Sequence, residues 1–437
     1  MNKSQTYSIF WFRRDLRLFD NCGLFHALKS GYKIIPLYIF DSYVIHELEK
    51  NDARISLLYK ILKDIHHELV SINSGLCVEI GQPEHVFQKL TQQFNIHSVF
   101  TNSEYEPYSA VRDQKVNSYL SSLSISTFFF KDQVFFEKDS VLKSDSSPYT
   151  IFTPYSKKWK EKYSNTEYIE YPSEQLISNF AKISFPFPEL SELGFEQVSV
   201  ALPEIQLDND FVKKYSELRN IPSVNGTSQL SVHLRMGTQS IRQIIHRVSK
   251  QSETLLNELI WREFFSQILM HFPETVSEPF QKKFRFIRWR NNEQQFIRWS
   301  NGETGYPIVD AGMRQLNQTG LMHNRVRMIT ASFLCKHLLI DWRWGEAYFA
   351  KKLLDYDLAS NVGNWQWAAS TGCDAVPYFR IFNPELQQKK FDPNQEYIKK
   401  WIPEYRSSDY IKPIVEHASA RSLCLEEYKH SISQYIK

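Results

Sequence analysis

The fold of the first 130 residues is decided by five apolar runs: YSIFWF (7–12), KIIPLYIF (33–40), LCVEIG (76–81), HSVFTNS (97–103) and STFFFKD (126–132). They are rich in β-branched and aromatic residues, which is typical of buried strands. Between them, stretches such as ARISLLYKILKDIHHELVSI (53–72) and PEHVFQKLTQQF (83–94) repeat apolar residues at helical spacing. This alternation predicts an α/β domain built on a doubly wound parallel sheet.

The turn after the first run lacks the glycine pattern of a dinucleotide site. It continues as Arg13, Arg14, Asp15, Leu16 and Arg17, with no GxGxxG. A dinucleotide held at that turn is therefore not supported.

The rest of the chain changes character twice. From 131 to 205 the periodicity disappears and Ser, Pro and Lys increase, which predicts a connector with some local helix. After about residue 210 helical spacing dominates, as in LLNELIWREFFSQILMHF (255–272). The predicted organisation is an α/β domain (1–130), a connector (131–205) and a mainly α-helical domain (206–437).

Composition places the chain among ordinary globular proteins. Of its 437 residues, 42% are hydrophobic and 23% are charged. The net charge of +3 does not by itself indicate a protein that binds nucleic acid. No apolar run reaches membrane-spanning length and no signal peptide is apparent, so we expect a soluble cytoplasmic protein. The five cysteines are isolated from one another, which predicts free thiols and no metal site.

Aromatic residues are unusually frequent, at 15% of the chain. Seven of the ten tryptophans fall between residues 261 and 367. This density indicates a role beyond packing.

Several segments of the helical region carry candidate chemistry. GTSQLS (226–231) suits a phosphate at a helix start, or is only a helix cap. In NELIWREFF (257–265), Glu258 and Arg262 are four residues apart and share a helix face, with Trp261 beside them. The two charged residues form either an exposed ion pair or part of a polar binding site. QKKFRFIRWR (281–290) mixes five cations with aromatic residues, a pattern of nucleic-acid contact or of a solvated face.

Taken together and in order, the motifs resemble the DNA photolyase and cryptochrome family, and within it the class I bacterial cyclobutane pyrimidine dimer photolyases. The matching stretches are WFRRDLRLFDN (11–21), GTSQLS, ELIWREFF (258–265), TGYPIVDAGMRQLNQTGLMHNRVRM (304–328) and NWQWAASTGCDAVPYFRIFNP (364–384). The resemblance implies an N-terminal antenna-binding α/β domain and a helical domain that binds FAD and DNA.

The resemblance also assigns roles to single residues. Those implied to contact FAD are Tyr215, Thr227, Ser228, Leu230, Ser231, Arg262, Asn324, Arg327, Asp355, Asp357 and Asn361, with Arg327 paired to Asp355 and Asn361 facing flavin N5. Those implied to contact a flipped-out dimer are Arg219, Glu258, Trp261, Asn324, Arg325, Met328 and Trp367. Glu258 is further implied to hydrogen-bond a thymine and stabilise the radical anion, so it counts with Asn361 among the catalytic residues.

The tryptophan excess gains an explanation from the same resemblance. Trp365, Trp342 and Trp289 match a chain that carries electrons from the surface to photoexcited flavin. Trp299 and Trp344 have no such match, and core packing is the interpretation for them.

The antenna positions depart from the family pattern. Ser109 replaces a glutamate of the folate-binding relatives, and Val276 and Ser277 replace a Cys-Lys pair. The folate pattern is not matched, which leaves a deazaflavin, another chromophore or an empty pocket. Leu321 stands where some relatives have Trp near the adenine side.

The resulting hypothesis is a monomeric light-driven lyase that repairs dimers in DNA by electron transfer from reduced, anionic, photoexcited FAD. One alternative is a cryptochrome-type photoreceptor without repair. Another is a structural module whose aromatic residues stack on single-stranded nucleic acid.

Overall fold

The computed structural model describes residues 5–408 and 410–436. Within these residues the chain forms two compact units, and each unit takes up separate segments of the sequence. The sheet unit comprises the described residues up to Glu137 together with Asn165–Glu204 and Gln229–Arg247. The helical unit comprises Lys138–Ser164, Ile205–Ser228 and the described residues from Val248 onwards. The linear boundaries at 130 and 205 stay a prediction, since the units alternate along the chain.

A parallel sheet forms the centre of the sheet unit. In the described residues its strands are β1 (Thr6–Phe12), β2 (Lys33–Asp41), β3 (Cys77–Gly81), β4 (Asn95–Asn102) and β5 (Ser126–Phe130), in the order β3-β2-β1-β4-β5. The register pairs Ile9 with Ile35 on one side and with Val99 on the other. The prediction of a doubly wound sheet is confirmed.

The α-helices cover most of the remaining chain. In chain order they are α1 (Cys22–Leu28), α2 (Ser42–Ile45), α3 (Ala53–Ser71), α4 (Pro83–Gln93), α5 (Pro107–Ser122), α6 (Phe152–Ser164), α7 (Asn209–Leu218), α8 (Leu230–Met236), α9 (Ile241–Val248), α10 (Glu253–His271), α11 (Glu293–Asn301), α12 (Pro307–Thr319), α13 (Asn324–Ser332), α14 (Trp342–Lys352), α15 (Leu358–Ala368), α16 (Pro384–Phe391), α17 (Glu396–Trp401) and α18 (His417–Ile436). Short 3-10 helices span Ser173–Asn179, Pro273–Val276 and Lys282–Phe284, and a π-helix spans Phe333–His337. None of the helices in the described ranges is long and apolar enough to cross a membrane.

Charged residues after β1 bind one another at the point where the strand order reverses. Arg17 donates two hydrogen bonds to the buried carboxylate of Asp132, at 2.7 and 2.8 Å, and Arg242 binds the same carboxylate at 2.9 Å. Asp15 accepts from the backbone N–H of Arg13 at 2.7 Å. Buried charges are tolerated only when paired in this way. The RRDLR motif therefore acts here as an internal ion network.

A large apolar cluster, which includes Trp299, Trp342 and Trp365, forms the core of the helical unit. Helices α12, α13, α14 and α15 all contribute to it. Within the predicted connector, α6 packs on α10, where the Trp159 indole N–H donates to Glu263 at 2.6 Å. The prediction of a mainly helical second domain with local helix in the connector agrees with this arrangement. All five cysteines are free and buried.

A buried lysine anchors the π-helix. Lys336 is completely buried, and its ammonium donates to Ser370 Oγ at 2.8 Å and to the Arg380 carbonyl at 3.0 Å. Burial lowers the pKa of Lys336 to about 8. The side chain thus ties the π-helix to both ends of the segment 370–380.

We expect Lys336 to make stability depend on pH. Its folded pKa lies below the unfolded value of 10.5, so between about pH 8 and 10.5 only the unfolded chain holds the extra proton. The free energy of unfolding should therefore rise across this window, by at most about 3 kcal/mol. Urea unfolding of the wild type and Lys336→Met at several pH values measures the difference. Parallel pH profiles for the two proteins would contradict the assignment.

Candidate flavin cleft and lesion surface

Helices α13, α14 and α15 enclose a cleft of about 580 Å³, counting the space that opens to solvent. Eight residues assigned from the sequence line it: Asn324, Arg327, Met328, Asp355, Asp357, Asn361, Trp365 and Trp367. The rest of the wall has no assignment from the sequence: it consists of Ala331, Phe349, Leu353, Tyr356, Ser360, Asn364 and Ala368. The cleft therefore combines apolar rings with amide, carboxylate and guanidinium groups, the mixture that small planar cofactors require.

Asn361 is held in one orientation by a residue that the sequence did not single out. Its Nδ2 donates to Glu346 Oε1 at 2.9 Å and to the Glu346 carbonyl at 3.1 Å. Burial raises the pKa of Glu346, partly offset by this hydrogen bond. No donor in the described residues binds Asn361 Oδ1, so this oxygen is left as an acceptor at the cleft.

Two acidic residues lie at the start of α15. Asp355 receives two hydrogen bonds from Arg327, at 2.9 and 3.2 Å, so the structure contains the ion pair that the resemblance implies. Asp357 caps α15, because its carboxylate accepts from the Ser360 backbone N–H at 3.0 Å. Both carboxylates are thereby fixed by protein groups at the cleft wall.

Trp365 lies between the cleft and the core of the helical unit. It is 2% exposed, and its indole N–H has no hydrogen-bond acceptor. Gly345 permits this position, because a Cβ there would lie 2.1 Å from the Trp365 ring. A glycine on α14 thus lets the helix pass directly against the indole.

Glu258 and Arg219 form an ion pair on the helical unit. Arg219 Nη1 donates to Glu258 Oε1 at 2.5 Å, and both side chains are partly exposed. The Arg219 guanidinium also lies 5.6 Å from the centre of the Tyr215 ring. Burial raises the pKa of Tyr215 to about 12, so this phenol stays neutral beside the ion pair.

Cations surround this pair from the start of α13. Arg325 donates to Asn220 Oδ1 at 2.7 Å and covers the Phe391 ring at 4.4 Å. Burial and the positive charge of Arg219 lower the pKa of Arg325. The pKa of His323 is lowered to about 4, mainly by burial and then by Arg325. His323 is therefore uncharged near neutral pH, and the positive charge of this surface comes from its arginine side chains.

Trp261 is stacked on an aromatic residue of α6. The Trp261 and Phe152 rings are parallel within 5°, with centroids 3.7 Å apart. Phe152 lies in the predicted connector and gave no signal in the sequence. One face of the predicted lesion-binding indole is therefore already covered.

The remaining residues predicted to contact FAD are distributed over both units. Thr227 and Ser228 belong to the helical unit, whereas Leu230 and Ser231 begin α8 of the sheet unit. Arg262 lies on α10, one turn after Glu258. Their assignment to FAD stays a prediction.

The outer tryptophans share a second, more polar cleft. Trp289 and Trp342 both line it, together with Asp341 and Arg343. Trp342 is 1% exposed, whereas Trp289 is half-buried. The guanidinium of Arg343 lies 5.1 Å from the centre of the Trp342 ring.

The basic segment 281–290 is less positive than its sequence indicates. Arg288 donates two hydrogen bonds to Glu427, at 2.8 and 2.9 Å. Arg285 pairs with Glu278 at 3.2 Å. Two of the five cations in this segment are therefore paired with acids. Glu427 is distant in the sequence, and Glu278 lies just before the segment.

Two family models match the chain, one described as DNA photolyase over residues 8–174 and one as the FAD binding domain of DNA photolyase over residues 255–409. A deoxyribodipyrimidine photo-lyase of Synechococcus sp. is 37% identical over 91% of this chain and 88% of its own length. The chain belongs to the DNA photolyase family. The family and the flavin cofactor FAD, both predicted from the motifs, are thereby confirmed.

Solved structures of this family have the same fold. A class III photolyase from Agrobacterium tumefaciens superposes with a TM-score of 0.85, at 32% identity, covering 99% of this chain and 98% of its own. A cryptochrome from Synechocystis sp. PCC6803 gives a TM-score of 0.84 at 27% identity, covering 98% of this chain and 100% of its own. A photolyase and a cryptochrome thus both have this architecture.

Proposed function

We propose that this DNA photolyase family member repairs cyclobutane pyrimidine dimers in DNA by light-driven electron transfer from FAD. The observation that carries the proposal is the gathering of Arg327, Asp355, Asp357, Asn361 and Trp365 around one cleft, with full-length relatives named as photo-lyases.

The cleft fits the polar and apolar edges of a flavin ring. The Trp365 indole N–H is a buried donor without an acceptor, and Asn361 Oδ1 is an acceptor whose amide is fixed through Glu346. Buried polar groups without partners are uncommon, and a flavin in the cleft would offer hydrogen-bonding partners to these two groups. Phe349 and Leu353 supply the apolar contact.

When bound in its reduced form and excited by light, FAD supplies one electron to the dimer and recovers it after the ring opens. Asn361 would accept a hydrogen bond from flavin N5–H through Oδ1. Asp357 would hold the polar edge of the ring. Arg327 and Asp355 would keep this wall rigid, since each fixes the other through two hydrogen bonds.

Glu258 would act on the substrate side. Arg219 occupies one site on Oε1, and an ionised carboxylate has about four acceptor sites. Oε2 can therefore accept from a thymine N–H, while the Trp261 face opposite Phe152 replaces the stacking lost by the flipped base. Trp367 and Met328, which line the flavin cleft, would contact the lesion as well, and Arg325 would add positive charge for the DNA backbone.

The decisive experiment compares light with darkness. Chemically reduced protein is mixed with an oligonucleotide that carries one thymine cyclobutane dimer, and restored thymines are counted by chromatography. Restoration in blue light alone supports repair. A protein that photoreduces its flavin but restores nothing would favour the photoreceptor function, for which the cryptochrome similarity is the specific argument.

Glu258→Ala is expected to lower the repair yield per absorbed photon by about tenfold, because a charge-assisted hydrogen bond worth about 1.5 kcal/mol is lost. The variant leaves Arg219 without its acidic partner, so affinity for DNA should hold or increase. The repair yield, measured by actinometry, should therefore fall, while the affinity for DNA, measured by titration, should not. Glu258→Gln, which keeps an acceptor oxygen, serves as the matched control with an intermediate yield. An unchanged yield in Glu258→Ala would remove the residue from the reaction.

A further inference from the structure

The first turn of α6 carries the ring that supports Trp261. Phe152 is the first residue of this helix, and its ring is parallel to the Trp261 indole at 3.7 Å. The Phe152 ring also meets the Phe264 ring edge to face, with centroids 5.9 Å apart. The first turn of α6 therefore sets the position of the ring on which the indole rests.

An acidic residue from a distant part of the chain caps this turn. The Phe152 backbone N–H donates to Asp374 Oδ2 at 3.0 Å, across 222 residues of sequence. The first N–H groups of a helix have no partner within the helix, and a carboxylate at that end also interacts favourably with the helix dipole. Asp374 thus supplies a cap for α6 from the segment that follows α15.

The rest of α6 is attached to α10 by other hydrogen bonds. The Ser156 hydroxyl donates to Asn257 Oδ1 at 3.2 Å. The Trp159 indole N–H donates to Glu263 at 2.6 Å. Both bonds lie one or two turns beyond Phe152, so loss of the cap should loosen the first turn without detaching the helix.

We propose that Asp374 is a positioning residue for the lesion: it holds Phe152 so that Trp261 presents its opposite face to a flipped-out base. The proposal deepens the proposed function and rests on it, because a base meets Trp261 in this way only if the protein binds dimers. The carboxylate acts through the helix and the ring, not on the reacting atoms. Neither Asp374 nor Phe152 had an assignment from the sequence.

The backbone at Asp374 allows the hydrogen bond and the charge to be tested separately. Its φ of +45° lies in the left-handed region, which Asp and Asn adopt more readily than most other residues with a side chain. Asn also keeps an oxygen that can accept the same hydrogen bond, but it carries no charge. Asp374→Asn therefore removes the charge alone, whereas Asp374→Ala removes both.

The first test measures binding in the dark, with the FAD-loaded protein and two oligonucleotides that differ only in one thymine dimer. Asp374→Ala should bind the dimer strand about tenfold more weakly, because stacking on Trp261 is impaired. Affinity for the undamaged strand, which depends on phosphate contacts, should not change. Asp374→Asn should recover most of the lost affinity. Equal affinity of Asp374→Ala and wild type for the dimer strand would overturn the proposal.

A matched control removes a cap of another helix in the same unit. Asn292 caps α11 by accepting from the Gln295 backbone N–H at 2.9 Å, and α11 carries no residue assigned to the lesion. Asn292→Ala should bind both strands as the wild type does. A loss of dimer affinity as large as that of Asp374→Ala would contradict a specific role for Asp374.

The second test determines whether Asp374 acts through Phe152. Phe152→Leu removes the ring but keeps the backbone N–H, and it should lower dimer affinity by a similar factor. Phe152→Leu/Asp374→Ala should then bind the dimer no more weakly than Phe152→Leu alone, since both changes affect one contact. Losses that add in the double variant would overturn the proposal.

Repair in light distinguishes this proposal from the proposed function. For Asp374→Ala the dimer concentration that gives half-maximal repair should rise about tenfold, as its affinity falls, while the yield at saturation and the flavin spectrum stay close to wild type. Loss of flavin or of the saturating yield would indicate general damage and would overturn the positioning role. A wild type that binds both strands equally and restores no thymines would instead show that the proposed function has failed.

Discussion

Trp365→Phe is expected to slow light-driven reduction of oxidised flavin by about a hundredfold or more, equivalent to about 3 kcal/mol in the barrier. In the proposed function the donor series of Trp365, Trp342 and Trp289 would reach the cleft through this residue, and a phenyl ring is much harder to oxidise than an indole. The substitution keeps an aromatic ring against Phe349, whose centroid lies 4.9 Å away. Absorbance of the flavin under continuous illumination gives the rate.

Repair by chemically reduced Trp365→Phe should stay within about threefold of wild type, since an effect below about 1 kcal/mol is expected when no repair contact is lost. Trp344→Phe, a tryptophan outside the series, should photoreduce normally. If Trp365→Phe lost both photoreduction and repair while Trp344→Phe kept both, the substitution would have damaged the cleft itself.

Arg327→Met should destabilise the protein by about 3–5 kcal/mol, because it leaves the Asp355 carboxylate buried without its charged partner. The side chain of Asp355 is only 4% exposed, and Arg327 Nε also loses its hydrogen bond to the Met322 carbonyl at 2.8 Å. We expect weaker FAD binding as well, since the pair forms part of the cleft wall. Urea unfolding and flavin release measure the two effects.

A matched control uses an ion pair of the same chemistry in solvent. Arg285 and Glu278 are 44% and 45% exposed, so Arg285→Met should cost less than about 1 kcal/mol. Arg327→Met/Asp355→Asn should recover part of the lost stability, because the amide carries no buried charge. Similar losses for the Arg285 and Arg327 variants would show that burial of Asp355 does not set the cost.

The order of the elements could be predicted from the sequence because local patterns determine it. Each of the five apolar runs became a strand. The three inner strands β1, β2 and β4 are largely buried, as parallel strands covered by helices are, whereas Phe128 and Phe129 of the edge strand β5 are exposed. The order of the strands about β1 could not be predicted in the same way. It depends on pairings such as Phe10 with Phe100, which join residues far apart in the chain.

Contacts between distant residues explain what sequence reasoning missed at the site. Asp310, in the first turn of α12, is completely buried and accepts hydrogen bonds from Thr304, Gly305 and Tyr410. The Tyr410 hydroxyl reaches it from 100 residues away. Glu346 likewise could not be identified from the sequence. Its role depends on a hydrogen bond to the Asn361 amide of the next helix, which it orients.

The Trp261–Phe152 stack has a consequence for how nucleic acid can be held. The Phe152 backbone N–H donates to Asp374 at 3.0 Å, so the partner ring is anchored and the indole cannot turn freely. A flipped-out base would therefore stack on an indole that is already ordered, so that binding would not have to restrict the motion of this side chain. Because Phe152 covers one face of the indole, successive bases of a strand cannot stack on both of its faces. In the proposed function this surface would receive a single lesion, in contrast to the repeated stacking platforms of proteins that coat single strands.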